Sequence, residues 1–383
     1  MKWNKEKASY ILCIILIIFA LFAPSIIQTE VERDRYREWV QPTPPVWQGQ
    51  LTLWAIVGFP MGQNTLSGWV RTRVRAFEED TFGVYVDAKV MQWEDAKVLL
   101  QAGEKPDVMI FPTGFLDSPD DMLIPLDVPG GINAALADSA KHGGKTYALP
   151  VMAGAYILAV NEEKGMIAGV DPPEEIGYTP EETVNLAQGE ESALCVDDGT
   201  FSNPGLAFAY DLIGGNEDAI KALAQIKNAQ VFFKGNGLLC LGNQNTAATA
   251  QANYENGEGF SNTVWAVSGF TDMVQYVGVV KGQPEAKTQI CEQFCESLLS
   301  EKAQESVKTL GMFPAVRGKP LYEDDPRFWA AEQEFAKNMA VPSCFGYENV
   351  RARWSELLQK AASGNAGALR ALLSDMDATC KQG

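Results

Sequence analysis

The residue types that most often carry out chemistry are sparse in this chain and poorly spaced for it. There is one histidine, His142, set in Lys141-His-Gly-Gly-Lys145. A Ser/His/Asp triad or a histidine-rich metal site would therefore rest on that residue alone, and its glycine-rich surroundings read as an exposed loop. Acids occur as sequence neighbours, Asp120/Asp121, Asp197/Asp198 and Asp324/Asp325. Glycosidase carboxylates must instead be held apart across a scissile bond, so these pairs read as solvated turns. Cys291 and Cys295 stand one helical turn apart, as two zinc ligands might be spaced, but no second pair accompanies them. Buried thiols, or a bridge to another cysteine, are the expectation there. Gly235-Asn-Gly237 lacks the Lys-Ser/Thr of a P-loop and the spacing of a dinucleotide fingerprint. No catalytic residue, metal site or cofactor is expected, and the chain is read as a non-enzyme.

Binding chemistry is better represented. Trp54, Phe59, Trp93, Phe111, Phe115, Tyr156 and Trp265 fall at or near the ends of expected strands. There a flat ring can stack on the apolar face of a sugar or an amine; core packing is the alternative for each. Gly242-Asn-Gln-Asn-Thr246 lies between an expected strand and a helix. The amides of Asn243, Gln244 and Asn245, with the helix amino end, can bind hydroxyls or an anionic group. The alternative is a plain helix cap by Asn245.

These residues need a scaffold, and the periodicity supplies one. Leu51–Val57, Val84–Met91 and Val108–Phe111 read as strands, with helices over Leu66–Asp80 and Trp93–Ala102 between them. A β-α-β-α-β order implies parallel strands with right-handed crossovers, and ligands of such sheets lie beyond the carboxyl ends of the strands. The loops concerned are Gly58–Thr65, Gln92 with Trp93, and Pro112–Asp117. Further along, Tyr147–Val160 reads as one long extended run and Leu238–Leu241 as a strand leading into a helix over Asn245–Glu255. Val274–Val280 is a strand, Glu285–Leu310 a helix or helix pair ending at Gly311, and Asp325–Met339 and Val350–Ser374 are helical.

Composition sets the outer limits. The chain has 383 residues, 46% hydrophobic and 21% charged, which excludes disorder and collagen-like fibre and allows two domains. A formal charge of −18 excludes a nucleic-acid surface, since phosphate neutralisation needs clustered Lys and Arg. No charge occurs between Lys7 and Glu30, and these 22 positions would span about 33 Å as a helix, close to a bilayer's hydrocarbon thickness. Lys2, Lys5 and Lys7 precede them, favouring a cytoplasmic amino terminus and an exported body. Ala23, with Leu21 two places before it and Pro24 immediately after it, makes a poor cleavage site, and Cys13 lies too early for lipoprotein processing. Residues 1–29 are thus read as a retained membrane anchor, cleavage leaving a secreted body. Residues 30–49, with Gln41-Pro-Thr-Pro-Pro45, are read as a stiff linker. Beyond Cys13, the six remaining cysteines permit disulfides in an exported protein without requiring them.

An ordered set of short motifs runs through the body: Leu51-Thr-Leu-Trp54, Val74-Arg-Ala-Phe-Glu78 with Gly83-Val84, Leu100-Gln-Ala-Gly103, and Pro106-Asp-Val-Met109. Ile124-Pro-Leu-Asp127, Gly144-Lys-Thr-Tyr-Ala-Leu-Pro150, Leu158-Ala-Val-Asn161 and Phe233-Lys-Gly-Asn-Gly237 continue it. Ser297-Leu-Leu-Ser-Glu-Lys-Ala-Gln304 and Leu310-Gly-Met-Phe-Pro314 complete it. From Gln50 to Val316 the chain resembles an extracellular solute-binding protein of the sugar-binding type served by ABC importers. The resemblance implies a two-lobed periplasmic-binding-protein-like α/β fold with hinge strands, here preceded by one transmembrane helix. Lobe 1 would be 50–152 and 274–313, lobe 2 153–273 and 314–383, with Ala153-Gly-Ala155 as hinge or simply a tightly packed strand. It further implies a monomeric receptor that clamps a small polar solute, a sugar or related molecule, between its lobes and delivers it to an ABC permease. The acidic body favours a neutral or cationic solute. The competing readings are a surface glycan hydrolase with scattered acids and a sensory module with a degenerate cleft.

Overall fold

The computed structural model describes residues 46–168, 179–187, 194–197, 203–266 and 269–382. The expected anchor at 1–29, the linker to residue 45, and Cys13 and Asp198 lie outside the described residues. Among the described residues no helix is long and apolar enough to cross a membrane.

The first half builds strand β1 (Gly49–Val57), helix α1 (Leu66–Asp80), β2 (Val84–Gln92), α2 (Trp93–Gln101) and β3 (Val108–Pro112). β1 pairs in parallel with β2 on one side and β3 on the other. Both faces of β1 are covered, Leu51, Leu53 and Ala55 on one and Trp54 and Ile56 on the other, as expected of a parallel strand between helical layers. α1 starts where the Thr65 hydroxyl accepts the Gly68 N–H, satisfying one of the helix's orphan donors. Leu66, Trp69, Val70, Val74 and Phe77 recur at three- and four-residue spacing and are its buried face. Phe77 meets Phe294 edge to face at 5.1 Å.

Asp107 locks the entrance of β3. Its Oδ2 accepts the Thr52 N–H at 2.7 Å and the Thr52 hydroxyl at 3.0 Å, while Lys287 Nζ lies 2.7 Å from Oδ1. Lys287 also stands over the Trp47 ring, 5.5 Å from its centroid, so the first described residues are tied to the sheet at the amino end of its strands.

The chain then passes through β4 (Leu149–Ala153) into β5 (Tyr156–Asn161), β6 (Leu194–Val196), α3 (Pro204–Tyr210), β7 (Lys227–Asn228), β8 (Leu239–Asn243), α4 (Gln244–Glu255) and β9 (Asn262–Ala266). It returns as β10 (Val274–Val279), α5 (Glu285–Ser297) and β11 (Phe313–Pro314), and ends with α6 (Pro326–Asn338), α7 (Tyr347–Ala362) and α8 (Ala366–Thr379). Two large sheets result, ordered β11-β4-β10-β3-β1-β2 and β9-β5-β8-β6-β7. The run expected as one extended segment from Tyr147 is therefore two strands in different sheets, divided at Gly154-Ala155. Both sheets are mixed rather than mainly parallel. The chain leaves the first sheet along β4 and comes back along β10, so these two strands run in opposite directions and pair antiparallel.

Three connections join the sheets: β4 to β5, β9 to β10, and β11 to α6, which packs on β9. The first two are stitched together at their closest point. The Gly154 N–H donates to the Met273 carbonyl at 2.7 Å, and the Thr271 hydroxyl donates to the Gly154 carbonyl at 2.8 Å. The Thr271 N–H donates to Ala340 O at 2.9 Å.

Candidate functional site

The interlobe junction is organised by the turn between β8 and α4. Asn243 is the N-cap: its Oδ1 accepts the N–H groups of Asn245 at 2.9 Å and Thr246 at 3.4 Å. The Thr246 hydroxyl oxygen in turn accepts the Asn243 N–H at 3.0 Å, a closed capping box. The same hydroxyl donates to Asp197 Oδ2 at 2.6 Å, tying the ends of β6 and β8 to the helix. Gly242 lies so close beneath Thr246 that a Cβ there would fall 2.1 Å from Oγ1, so glycine is required by contact rather than by dihedral angle. The cap is Asn243, two residues before the Asn245 that the sequence offered as the alternative.

With the cap satisfied by Asn243, Gln244 is released to reach across the junction. Its Nε2 donates to the Pro60 carbonyl at 2.9 Å and lies 3.4 Å from Met312 Sδ; its Oε1 accepts the Ala155 N–H at 3.1 Å. One fully buried side chain thus joins the second sheet's helix to the β1–α1 loop, the turn after residue 310 and the first hinge crossing. The opposing backbone is thin for the same reason. A Cβ on Gly154 would stand 2.9 Å from the Gln244 amide, and one on Gly62 would stand 3.2 Å from Gln244 Cγ and 3.0 Å from Gly311 O. Asn245 is half-buried beside them.

The aromatic candidates take other positions. Trp93, Phe111 and Phe115 form one cluster, with Trp93 edge to face on Phe115 at 5.0 Å and Phe111 at 6.4 Å from Phe115. Trp54 belongs to the same apolar mass, and Lys97 Nζ caps the Trp93 and Phe115 rings at 5.5 and 5.1 Å. Phe59, on the β1–α1 loop, is buried with the α1 face. Tyr156 lies parallel to Phe270 at 6.2 Å and is fully buried in the hinge. Trp265 pairs with Leu158 through the β9 backbone, and its side chain lies outside the described residues. The structure therefore brings Asn243 and Gln244 to the junction and Phe59 to the loop they meet, and packs Trp54, Trp93, Phe111 and Phe115 inside the first lobe.

Sequence reading missed the hinge acid. Asp272 accepts the Tyr156 hydroxyl at 2.6 Å on Oδ1 and the Tyr347 hydroxyl at 2.8 Å on Oδ2, while the Asn203 N–H donates to the Tyr156 oxygen at 3.0 Å. Burial pushes the Asp272 carboxyl above its ordinary range; the two tyrosine hydrogen bonds and the charge of Arg351 oppose that shift. No local signal marks Asp272, because its partners are remote in sequence.

The residues read as chemically idle also have plain positions. His142 Nε2 stands 3.3 Å from Asp120 Oδ2 on the surface, and the Tyr147 hydroxyl donates to the same carboxylate at 2.9 Å. The six described cysteines are buried. Burial pushes the Cys195 thiol up to about 11 and that of Cys291 up to about 12, the opposite of an activated or metal-binding thiol. Among the described residues no group of three His, Cys, Asp or Glu side chains could hold a metal ion.

No family model matches the chain, and no curated protein matches it. Solved structures do. A cyclic α-maltosyl-1,6-maltose binding protein from Arthrobacter globiformis is 16% identical, with a TM-score of 0.66 over 87% of this chain and 99% of that one. An ABC substrate-binding protein from Listeria monocytogenes, in complex with cycloalternan, is 13% identical, with a TM-score of 0.61 over 87% and 99%. The maltose-maltodextrin binding protein of Alicyclobacillus acidocaldarius is 14% identical, with a TM-score of 0.58 over 86% and 100%. The chain shares the fold of these binding proteins along almost their whole length.

Proposed function

We propose that this protein is an extracellular receptor that captures a small polar solute, of the sugar class, between its two lobes and presents it to an ABC permease. The observation that carries the reading is the architecture of the junction. Two mixed sheets are linked by three crossings, two of them stitched together, and a single amide side chain, Gln244, touches both lobes and the hinge. A cleft so built can exchange Gln244's internal hydrogen bonds for solute hydroxyls and report occupancy through lobe position. The structural neighbours named above are binding proteins, and the sugars in their names give the solute class. The lobes are taken as 50–152 with 274–313, and 153–273 with 314–383. The contact residues are taken to be Gln244, Asn245, the Phe59 loop and Trp265, with the remaining expected rings supporting them from behind.

The finer reading places a retained anchor at residues 1–29. Trp47 and Lys287 hold the first described residues at the amino end of the first sheet's strands, opposite the β1–α1 loop that meets Gln244, which supports an attachment on the side away from the solute. The receptor acts as a monomer and turns nothing over. Calorimetric titration of the detergent-purified full chain with maltose, maltotriose, cyclic glucotetraoses, polyols and amino acids tests this. One equivalent of a carbohydrate bound and recovered unchanged is expected. Cleavage of the sugar, or saturation only by an amino acid, would overturn the assignment.

A further inference from the structure

A groove lies along α1, flanking the Gln244 junction but sharing no lining residue with it. It has a volume of about 470 Å3 and runs between one stripe of the helix and the 306–310 turn. Its lining includes Asn64, Trp69, Thr72, Arg73, Ser306 and Thr309. Arg73 is only 8% exposed, yet among the described residues no carboxylate pairs with it. Its Nη1 lies 3.5 Å from the Lys302 carbonyl, at the limit of a hydrogen bond, and its buried Nε has no acceptor. A guanidinium does not shed its proton to escape burial, and a buried cation without a partner is strongly disfavoured. The Nε edge, buried and without a protein acceptor, is the side of a guanidinium that grips an oxyanion with two parallel N–H donors.

The rest of the lining has the opposite polarity. The Thr72 hydroxyl donates to Gly68 O at 3.0 Å and the Thr309 hydroxyl to Ser306 O at 2.7 Å. The Ser306 hydroxyl donates to Ala303 O and accepts the Trp69 indole N–H at 2.9 Å. The Asn64 amide nitrogen donates to Thr309 O at 2.6 Å. With their protons committed to the protein, the threonine and asparagine oxygens are left as acceptors, which suit ligand hydroxyls and not an anion. Geometry thus divides the groove into one cationic end and one acceptor-lined end.

We infer that this groove binds a small hydroxylated carboxylate, a molecule of the sugar-acid class, with its carboxylate on the Nε edge of Arg73 and its hydroxyls on the Thr72, Thr309 and Asn64 oxygens. The site lies on the far flank of the same loop and turn that Gln244 meets, and none of its lining residues touches Gln244. The strongly acidic body repels anions at long range, so affinity should be modest and fall with salt.

Thermal denaturation of the full chain in sodium gluconate, sodium acetate, sodium sulfate and glucose, each at matched ionic strength, tests the inference. Gluconate should raise the midpoint saturably, with at least a tenfold lower half-saturating concentration than acetate, sulfate or glucose. Arg73→Met should abolish that response and, having lost an unpaired buried charge, should be no less stable than the parent without ligand. Gly68→Leu provides a second variant that spares Arg73. A Cβ there meets nothing nearer than Thr65 Oγ1 at 3.6 Å, the change favours helix, and the side chain would fill the groove, weakening gluconate at least tenfold. No gluconate effect, an equal effect of all three anions, or unchanged gluconate binding in both variants would each overturn the inference.

Discussion

The Tyr156 hydroxyl lies 2.6 Å from Asp272 Oδ1, and this one hydrogen bond joins two of the three connections between the sheets. Tyr156 opens β5 just after the first crossing, whereas Asp272 sits in the second crossing just before β10. Tyr347, at the start of α7, donates to the other oxygen of the same carboxylate, so the C-terminal helices are included. A fully buried acid with a hydroxyl on each oxygen fixes the relative orientation of three chain segments more narrowly than apolar contacts would.

The hinge acid should reveal itself through pH. Because the Asp272 carboxyl is raised above its ordinary value of 3.8 in the folded protein, the folded state binds its proton more tightly than the unfolded chain does. Its contribution to stability is present below that ordinary value and is lost as pH rises through the raised one. Asp272→Asn cannot titrate, so the stability of the parent relative to the variant should decline as pH rises from about 4. Urea unfolding at several pH values would show this, and a difference independent of pH would contradict it. Tyr156→Phe, which strips one donor from the carboxylate and one acceptor from the Asn203 N–H, should cost about 1–3 kcal/mol.

Gln244 makes a separate prediction about lobe position. Its amide is the polar tie between α4 and the β1–α1 loop, and Gln244→Ala leaves the Ala155 N–H and the Pro60 carbonyl without that partner. Where these groups can reach water by parting the lobes, the open state gains, at roughly 1–2 kcal/mol. Small-angle scattering of the solute-free variant should therefore give a larger radius of gyration than the parent. Identical scattering curves would mean that Gln244 is a packing residue with no part in closure.

How much of this was legible beforehand depended on how local each signal is. α1 was readable to its ends because Thr65 caps it and its apolar residues repeat at helical spacing. β1 and β3 were readable because parallel strands buried on both faces are continuously apolar. The break at Gly154-Ala155 was not, since β4 and β5 are both extended and apolar and nothing in their composition says which sheet each joins. Rings at strand ends had the same ambiguity. Phe111 and Phe115 have the residue types of a stacking platform, but the chain turns them onto Trp93 and Tyr276. The Gln244 turn was found because glycine followed by amides before a helix is a local pattern. Asp272 depends on tyrosines distant in sequence and carried no mark.

The amino-terminal reading is settled by chemistry on the mature protein. An uncharged run of 22 residues after three lysines, with no small-residue cleavage signal at Ala23, is expected to stay attached. Protein extracted from membranes should need detergent and should begin at Met1 or Lys2 on terminal sequencing. A soluble form beginning near Pro24 or Ser25 would show that the segment is removed on export.

The last prediction concerns the lock at the entrance of β3. Asp107 is 4% exposed and is held by the Thr52 N–H, the Thr52 hydroxyl and Lys287, the latter stacked on Trp47. Asp107→Ala leaves a largely buried ammonium and a part-buried amide without their acceptor, and breaking such a pair from one side costs about 3–5 kcal/mol. Lys287→Met should cost less, because the thioether keeps the contact with Trp47 while Asp107 retains its two Thr52 donors. The double variant Asp107→Ala with Lys287→Met removes both charges together and should recover part of the loss, since much of the single-variant cost is the stranded partner. Chemical denaturation of the four proteins closes this cycle. Strictly additive losses would show that the two side chains are not coupled and that Asp107 acts through Thr52 alone.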